Sequence, residues 1–123
     1  MRISFILSAM LVAAVMVGPT PSISAGPLDG VYAGATTLTR ANGRLCKGSV
    51  KLVMTVTGGN ATALDDETYT FTGTVQPDGA FSLSGKVGDV GRAATITGKI
   101  AARQATGQVD SGACLHTFTL TKN

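Results

Sequence analysis

The stretch Thr68-Tyr69-Thr70-Phe71-Thr72-Gly73-Thr74-Val75-Gln76-Pro77-Asp78-Gly79-Ala80-Phe81-Ser82-Leu83-Ser84-Gly85-Lys86-Val87 decides the fold. Its first half sets Tyr69, Phe71 and Val75 on one parity and Thr68, Thr70, Thr72 and Thr74 on the other. Its second half sets Phe81, Leu83 and Val87 against Ser82, Ser84 and Lys86. Side chains alternate across a strand, so each half has one apolar face and one hydroxyl-rich face. Pro77-Asp78-Gly79 between them is a turn, because proline presets one backbone angle and glycine accepts a positive φ. Two strands, each wet on one side and joined by a tight turn, make a hairpin of an antiparallel sheet.

The rhythm continues in both directions. Val50, Leu52, Met54 and Val56 alternate with Ser49, Lys51, Thr55 and Thr57, and Ala94, Ile96 and Ile100 with Thr95, Thr97 and Lys99. At the end of the chain, Phe118 and Leu120 alternate with Thr117, Thr119 and Thr121. Turn signals at 41–43, 58–60, 65–67, 77–79, 88–91 and 111–112 leave strands at 30–39, 48–57, 61–65, 68–76, 79–87, 92–101, 104–110 and 113–121. The third is the shortest, and no segment of the mature chain reads as a helix. Gly34, Gly48, Gly73, Gly85, Gly98 and Gly107 all fall on the inward parity of their strands. Glycine weakens a flat strand but permits sharp bends and close approach in a tightly curled one. The expected fold is all-β: a small antiparallel up-and-down β-barrel of seven or eight strands.

Ahead of this domain, Met1-Arg2 gives a positive start, Ile3 to Val17 is almost unbroken apolar sequence, and Gly18, Pro19 and Pro21 break it. Ser22-Ile23-Ser24-Ala25 then supplies small residues. That order is a secretory signal peptide, residues 1–25, removed after Ala25 or after Ser24. A membrane anchor is the competing reading, but the apolar run falls short of the ~20 residues that span a bilayer. Residues 26–123 form the single mature domain, and its place is the periplasm or outside the cell. An outer-membrane barrel would need apolar residues facing lipid and aromatic girdles. Here the outward set is Thr, Ser and Lys, without a tryptophan, so no stable membrane insertion is expected once the signal is removed.

Two cysteines in an exported domain, Cys46 and Cys114, most simply form one structural disulfide. In the barrel order the second and eighth strands flank the first, about 10 Å apart, which is too far for a bridge. The loop carrying Cys46 must therefore fold over the rim to reach Cys114. Residues 40–47 read as that loop, and Arg40, Asn42, Arg44 and Lys47 make it the candidate interaction surface.

Chemistry is sparse. His116 is the one histidine, which removes multi-histidine metal sites and triads that need a second His. With inward parity between Cys114 and Phe118, it reads as a hydrogen-bonded structural residue near the disulfide. No Gly-x-Ser-x-Gly elbow occurs. Asp65-Asp66-Glu67 lacks the alternating oxygen ligands of a calcium loop and reads as a solvated turn. The Gly58 and Gly88 segments lack the helix and lysine of a phosphate cradle. Thr-x-Thr runs are the ordinary wet side of strands rather than a flat ice-binding array. Nine basic against seven acidic residues leave +2 on the mature chain, and the basic residues are scattered, so nucleic acid is not an expected partner. No catalytic residue, cofactor or metal is expected.

Leu28-Asp29-Gly30-Val31-Tyr32-Ala33-Gly34, then Leu38-Thr39-Arg40 and Cys46, with the ending Cys114-Leu115-His116-Thr117-Phe118-Thr119-Leu120-Thr121, resembles small exported β-proteins of alphaproteobacteria, mostly uncharacterised. The resemblance covers most of the mature chain and brings no catalytic residues. It implies action at a bacterial envelope or a host interface, in a virulence-associated or effector-like role. The sequence thus leads to an exported, non-enzymatic barrel that binds another macromolecule, an unknown protein or envelope partner. A small-ligand-binding barrel and a protease inhibitor that presents residues 40–47 are the alternatives.

Overall fold

Alternating hydrophobic strands that lack a second layer to cover them must bury their apolar faces against each other, and closure is one way to do so. The structure, a computed structural model, describes residues 26–43 and 45–123. Residues 1–25, expected to be a signal peptide, lie outside the described residues. Eight strands follow one another: β1 (Gly30–Ala41), β2 (Lys51–Thr57), β3 (Asn60–Asp65), β4 (Tyr69–Val75), β5 (Ala80–Val87), β6 (Arg92–Ala101), β7 (Gln104–Asp110) and β8 (Cys114–Lys122). Each pairs antiparallel with the next, and β8 returns to β1, closing the barrel.

The interior is filled. Tyr32, Leu52, Met54, Phe71, Leu83, Ile96 and Leu120 are all buried, joined by small residues such as Ala61, Ala63 and Ala105. One row shows how a barrel this narrow holds aromatics. Phe81 faces Gly98 across β5 and β6, Gly98 faces Gly107 across β6 and β7, and Gly107 faces Phe118 across β7 and β8. The two phenyl rings lie over the paired glycines, centroids 6.4 Å apart and 27° from parallel. The inward glycines therefore provide the space that the large side chains occupy.

Two boundaries, both at the β1–β2 loop, differ from the sequence reading by more than one residue. Strand β1 runs to Ala41, so Arg40 lies on an exposed strand position and the loop begins only at Asn42. A bulge at Thr39 extends the pairing with β8, and the Thr39 hydroxyl donates to the Leu115 carbonyl at 3.1 Å. At the other side of the loop, β2 begins at Lys51 rather than 48. The Leu38 and Thr36 amides still reach the carbonyls of Gly48 and Val50, each at 2.8 Å. However, the Val50 amide donates to the Thr36 hydroxyl instead of to the ladder, at 3.1 Å. Gly48 consequently sits exposed outside the strand with open space around it, not inward as its parity suggested.

Thr36 is the buried polar residue that this irregularity needs. Thr36→Val keeps the shape and removes the acceptor, which leaves the Val50 amide without its partner. An orphaned buried donor costs about 1–3 kcal/mol; this bond is only part-buried, so chemical denaturation of the variant should show a loss near the lower end of that range.

Candidate functional site

The two rims of the barrel are unlike. At one, residues 26–29 cross the opening: Leu28 packs on the core, its carbonyl accepts the Tyr32 hydroxyl at 2.8 Å, and Asp29 Oδ1 accepts the Gly58 amide at 3.0 Å. Burial holds the Tyr32 phenol above its ordinary pKa, so it stays a neutral donor. The other rim collects the β1–β2 loop and the β3–β4, β5–β6 and β7–β8 turns. Between them opens a cup of about 420 Å³.

The disulfide Cys46–Cys114 forms one side of this cup. Its Cα atoms are 5.9 Å apart, and it ties the β1–β2 loop to the start of β8 across the intervening β1. The loop is fastened again at the next residue. Lys47 pairs with Asp66 in the β3–β4 turn, and the Lys47 carbonyl accepts the His116 Nε2 proton at 2.7 Å. The bond to Asp66 holds the Lys47 ammonium above its usual pKa, so the pairing persists through neutral pH. Because a carbonyl can only accept, His116 keeps its proton on Nε2.

Of the four residues expected to form the interaction surface, three lie among the described residues. Arg40 points outward from β1, Asn42 donates its amide to the Ala113 carbonyl at 2.8 Å, and Lys47 is occupied by Asp66. Arg44 lies outside the described residues. The side chains that stand out are apolar instead. Leu45 is fully exposed at 100 % and Val90 is 82 % exposed, one on the β1–β2 loop and the other on the β5–β6 turn, both at the lip of the cup.

Within the cup the decisive residue is Asp65. The sequence reading grouped it with Asp66 and Glu67 as a solvated turn, and only those two are in the turn. Both take positive φ, 57° each, and the Thr68 amide closes back on the Asp65 carbonyl at 3.1 Å, within the three-residue connection between the paired Asp65 and Tyr69. Asp65 itself ends β3 on the inward parity of Ala61 and Ala63 and is 9 % exposed. Among the described residues no hydrogen-bond donor reaches its carboxylate. Desolvation raises its pKa; the His116 and Lys47 charges pull it down and that of Asp66 pushes it up further. Around it, Val50, Tyr69, Val87 and Val109 supply apolar walls. No group of three or more metal-ligating side chains converges among the described residues.

This carboxyl gives a pH signature. The folded barrel keeps the Asp65 proton to a higher pH than the unfolded chain, whose ordinary value is 3.8. Where the native state binds more protons, stability falls as pH rises. The loss develops above that value and is complete beyond the raised one, so it is present at neutral pH. Asp65→Asn removes it. The variant should melt higher than the wild type at neutral pH, with the gap closing as pH falls towards 3.8. A lower melting temperature at neutral pH would mean that the carboxylate has a stabilising partner. No protein-family model matches the chain, and the searches of curated proteins and solved structures likewise found no match.

Proposed function

We propose that this chain is an exported, non-enzymatic barrel that binds another protein at the disulfide-fastened rim, in the periplasm or beyond the cell. The observation that carries the reading is the pair Leu45 and Val90, exposed on two separate connections at the lip of one cup. A disulfide-bonded domain is at home in an oxidising compartment. Below the cup the barrel is filled with side chains, so the room for a guest is at the rim. Elsewhere the outer surface is dominated by rows of Thr and Ser, such as Thr62, Thr72, Ser84 and Thr95 across β3 to β6, and its exposed large apolar side chains, Val31 and Leu64, are far less exposed than Leu45 and Val90. Exposed apolar residues rimmed by polar ones are the usual mark of an interaction site. The resemblance to small exported β-proteins of alphaproteobacteria supports an envelope or host-facing partner.

The test is chemical crosslinking in envelope extract, with the wild type compared to the double variant Leu45→Asp, Val90→Asp. A partner recovered by the wild type and lost from the variant supports the reading. Equal recovery by both, or nothing above background with either, removes it.

One observation favours a second reading, protease inhibition. Leu45 is a fully exposed side chain directly before a cysteine that anchors its loop, a geometry that suits presentation to an apolar cleft. Inhibition of a protease panel, lost on Leu45→Asp alone while Val90→Asp has no effect, would select it.

A further inference from the structure

We infer that the rim cup is a receptor for an alkylammonium group, a primary amine on a short apolar stem, with Asp65 as its counter-ion. This deepens the proposal that a protein binds at the rim and rests on it, since a partner's lysine side chain carries that chemistry.

Three observations converge. The first is the buried carboxylate. Asp65 is nine-tenths buried, faces the cup, and meets no donor among the described residues. A buried charge without a partner is costly, and stability alone would favour an apolar or amide side chain in its place. An ammonium brings three donors and the opposite charge, the complement that this oxygen pair lacks.

The second observation is the shape and lining of the space. The cup holds about 420 Å³, ample for a lysine side chain, and Val50, Val87, Val109 and Tyr69 line the path towards Asp65. Methylene groups pack on such walls while a charged end goes to the polar spot, as long basic side chains do elsewhere. Leu45 and Val90 extend the apolar wall outward at the lip.

The third is the occupation of the neighbouring charges. The Lys47 ammonium is already held by Asp66, and His116 spends its Nε2 proton on the Lys47 carbonyl. Asp65, Asp66 and Asp89 line the cup against the fixed cations Lys47 and Arg92. Among the described residues, and with His116 neutral, three against two leave one net negative charge in the cup, which favours a cation over an anion.

The experiment is an amide-resonance titration of the oxidised full-length mature protein. The probes are n-butylammonium, the blocked lysine Nα-acetyl-lysine methylamide, butyrate and butanol. Saturable shifts centred on Val50, Asp65, Tyr69 and Val109 are expected with the two ammonium probes and absent with butyrate and butanol. Asp65→Asn, which should fold at least as stably as the wild type, is expected to weaken them about tenfold or more. Stronger binding of the blocked lysine than of butylammonium identifies a protein side chain as the source of the amine; the reverse identifies a free amine. Butyrate or butanol binding as well as the ammonium probes, undiminished binding to Asp65→Asn, or no saturable shift with either amine overturns the inference. Crosslinked partner that is lost on Leu45→Asp, Val90→Asp but unchanged on Asp65→Asn would leave rim binding standing and remove the amine site alone.

Discussion

Barrels carrying Cys46→Ala and Cys114→Ala together are expected to lose about 4 kcal/mol of unfolding free energy. The bridge joins positions 68 residues apart, and a cross-link over so long a stretch removes much of the unfolded chain's freedom. A domain of this size has a total stability of roughly 5–15 kcal/mol, so the change is a large share of it. The strand ladder does not include the bridge, so the variant should keep its β circular dichroism while its urea midpoint falls. Its m-value should rise, because the unfolded chain without the cross-link exposes more surface. The cup should suffer more than the barrel: Leu45 and Lys47 flank Cys46, and between the backbone bonds at Asn42 and Gly48 their loop would then be held by the Lys47–Asp66 pair and one histidine bond. A loss below about 1 kcal/mol would place the rim's stability elsewhere, since surface ion pairs contribute at most about that much.

The second large effect belongs to the paired glycines. A Cβ on Gly107 would run into the Thr97 carbonyl oxygen and come within 2.8 Å of the Gly98 Cα. On Gly98 it would meet the Thr106 carbonyl oxygen and stand 2.7 Å from the Phe81 ring. These are backbone obstacles between hydrogen-bonded strands, and neither strand can retreat without breaking the closed ladder. Gly107→Ala is therefore expected at the upper end of overpacking costs, about 3 kcal/mol. For a domain of this length that lowers the melting temperature by about 15 °C. Gly48→Ala is the matched control, because nothing stands within 4 Å of its Cβ position, and it should shift stability by less than about 0.5 kcal/mol. Equal effects at the two positions would contradict the packing described for the Phe81–Phe118 row.

The strands and their faces were legible because water covers one side of the sheet. Wherever one face is wet and the other dry, period two is written directly into residue type, as in Phe81-Ser82-Leu83-Ser84. The inward glycines carried a second message, curvature, which distinguished a closed barrel from an open sheet. Gly48 was misread for a local reason. The Thr36 hydroxyl captures the Val50 amide and ends the β2 ladder early, a side-chain event that backbone periodicity does not register. Asp65 had a readable signal, since it continues the parity of Ala61 and Ala63. Its two acidic neighbours outweighed that signal and suggested a solvated turn. The cup itself had no signature. Leu45, Asp65, Val90 and His116 come from four connections or strand ends far apart in the chain, and only barrel closure brings them to one opening.

That closure sets an order of events for a chain made or exported from its beginning. Strand β1 needs β8 as its second neighbour, and Cys46 needs Cys114. Both partners belong to the last strand of the barrel to emerge, so a growing chain can assemble its successive hairpins but must wait for β8 to complete the ring. Until then β1 exposes a row of unsatisfied amides and carbonyls, the part of the molecule most open to mispairing. Assembly should accordingly be governed by this end-to-end meeting and proceed on the slow side for a chain of its length, and an early encounter between the two thiols would hasten it by holding the first and last strands together.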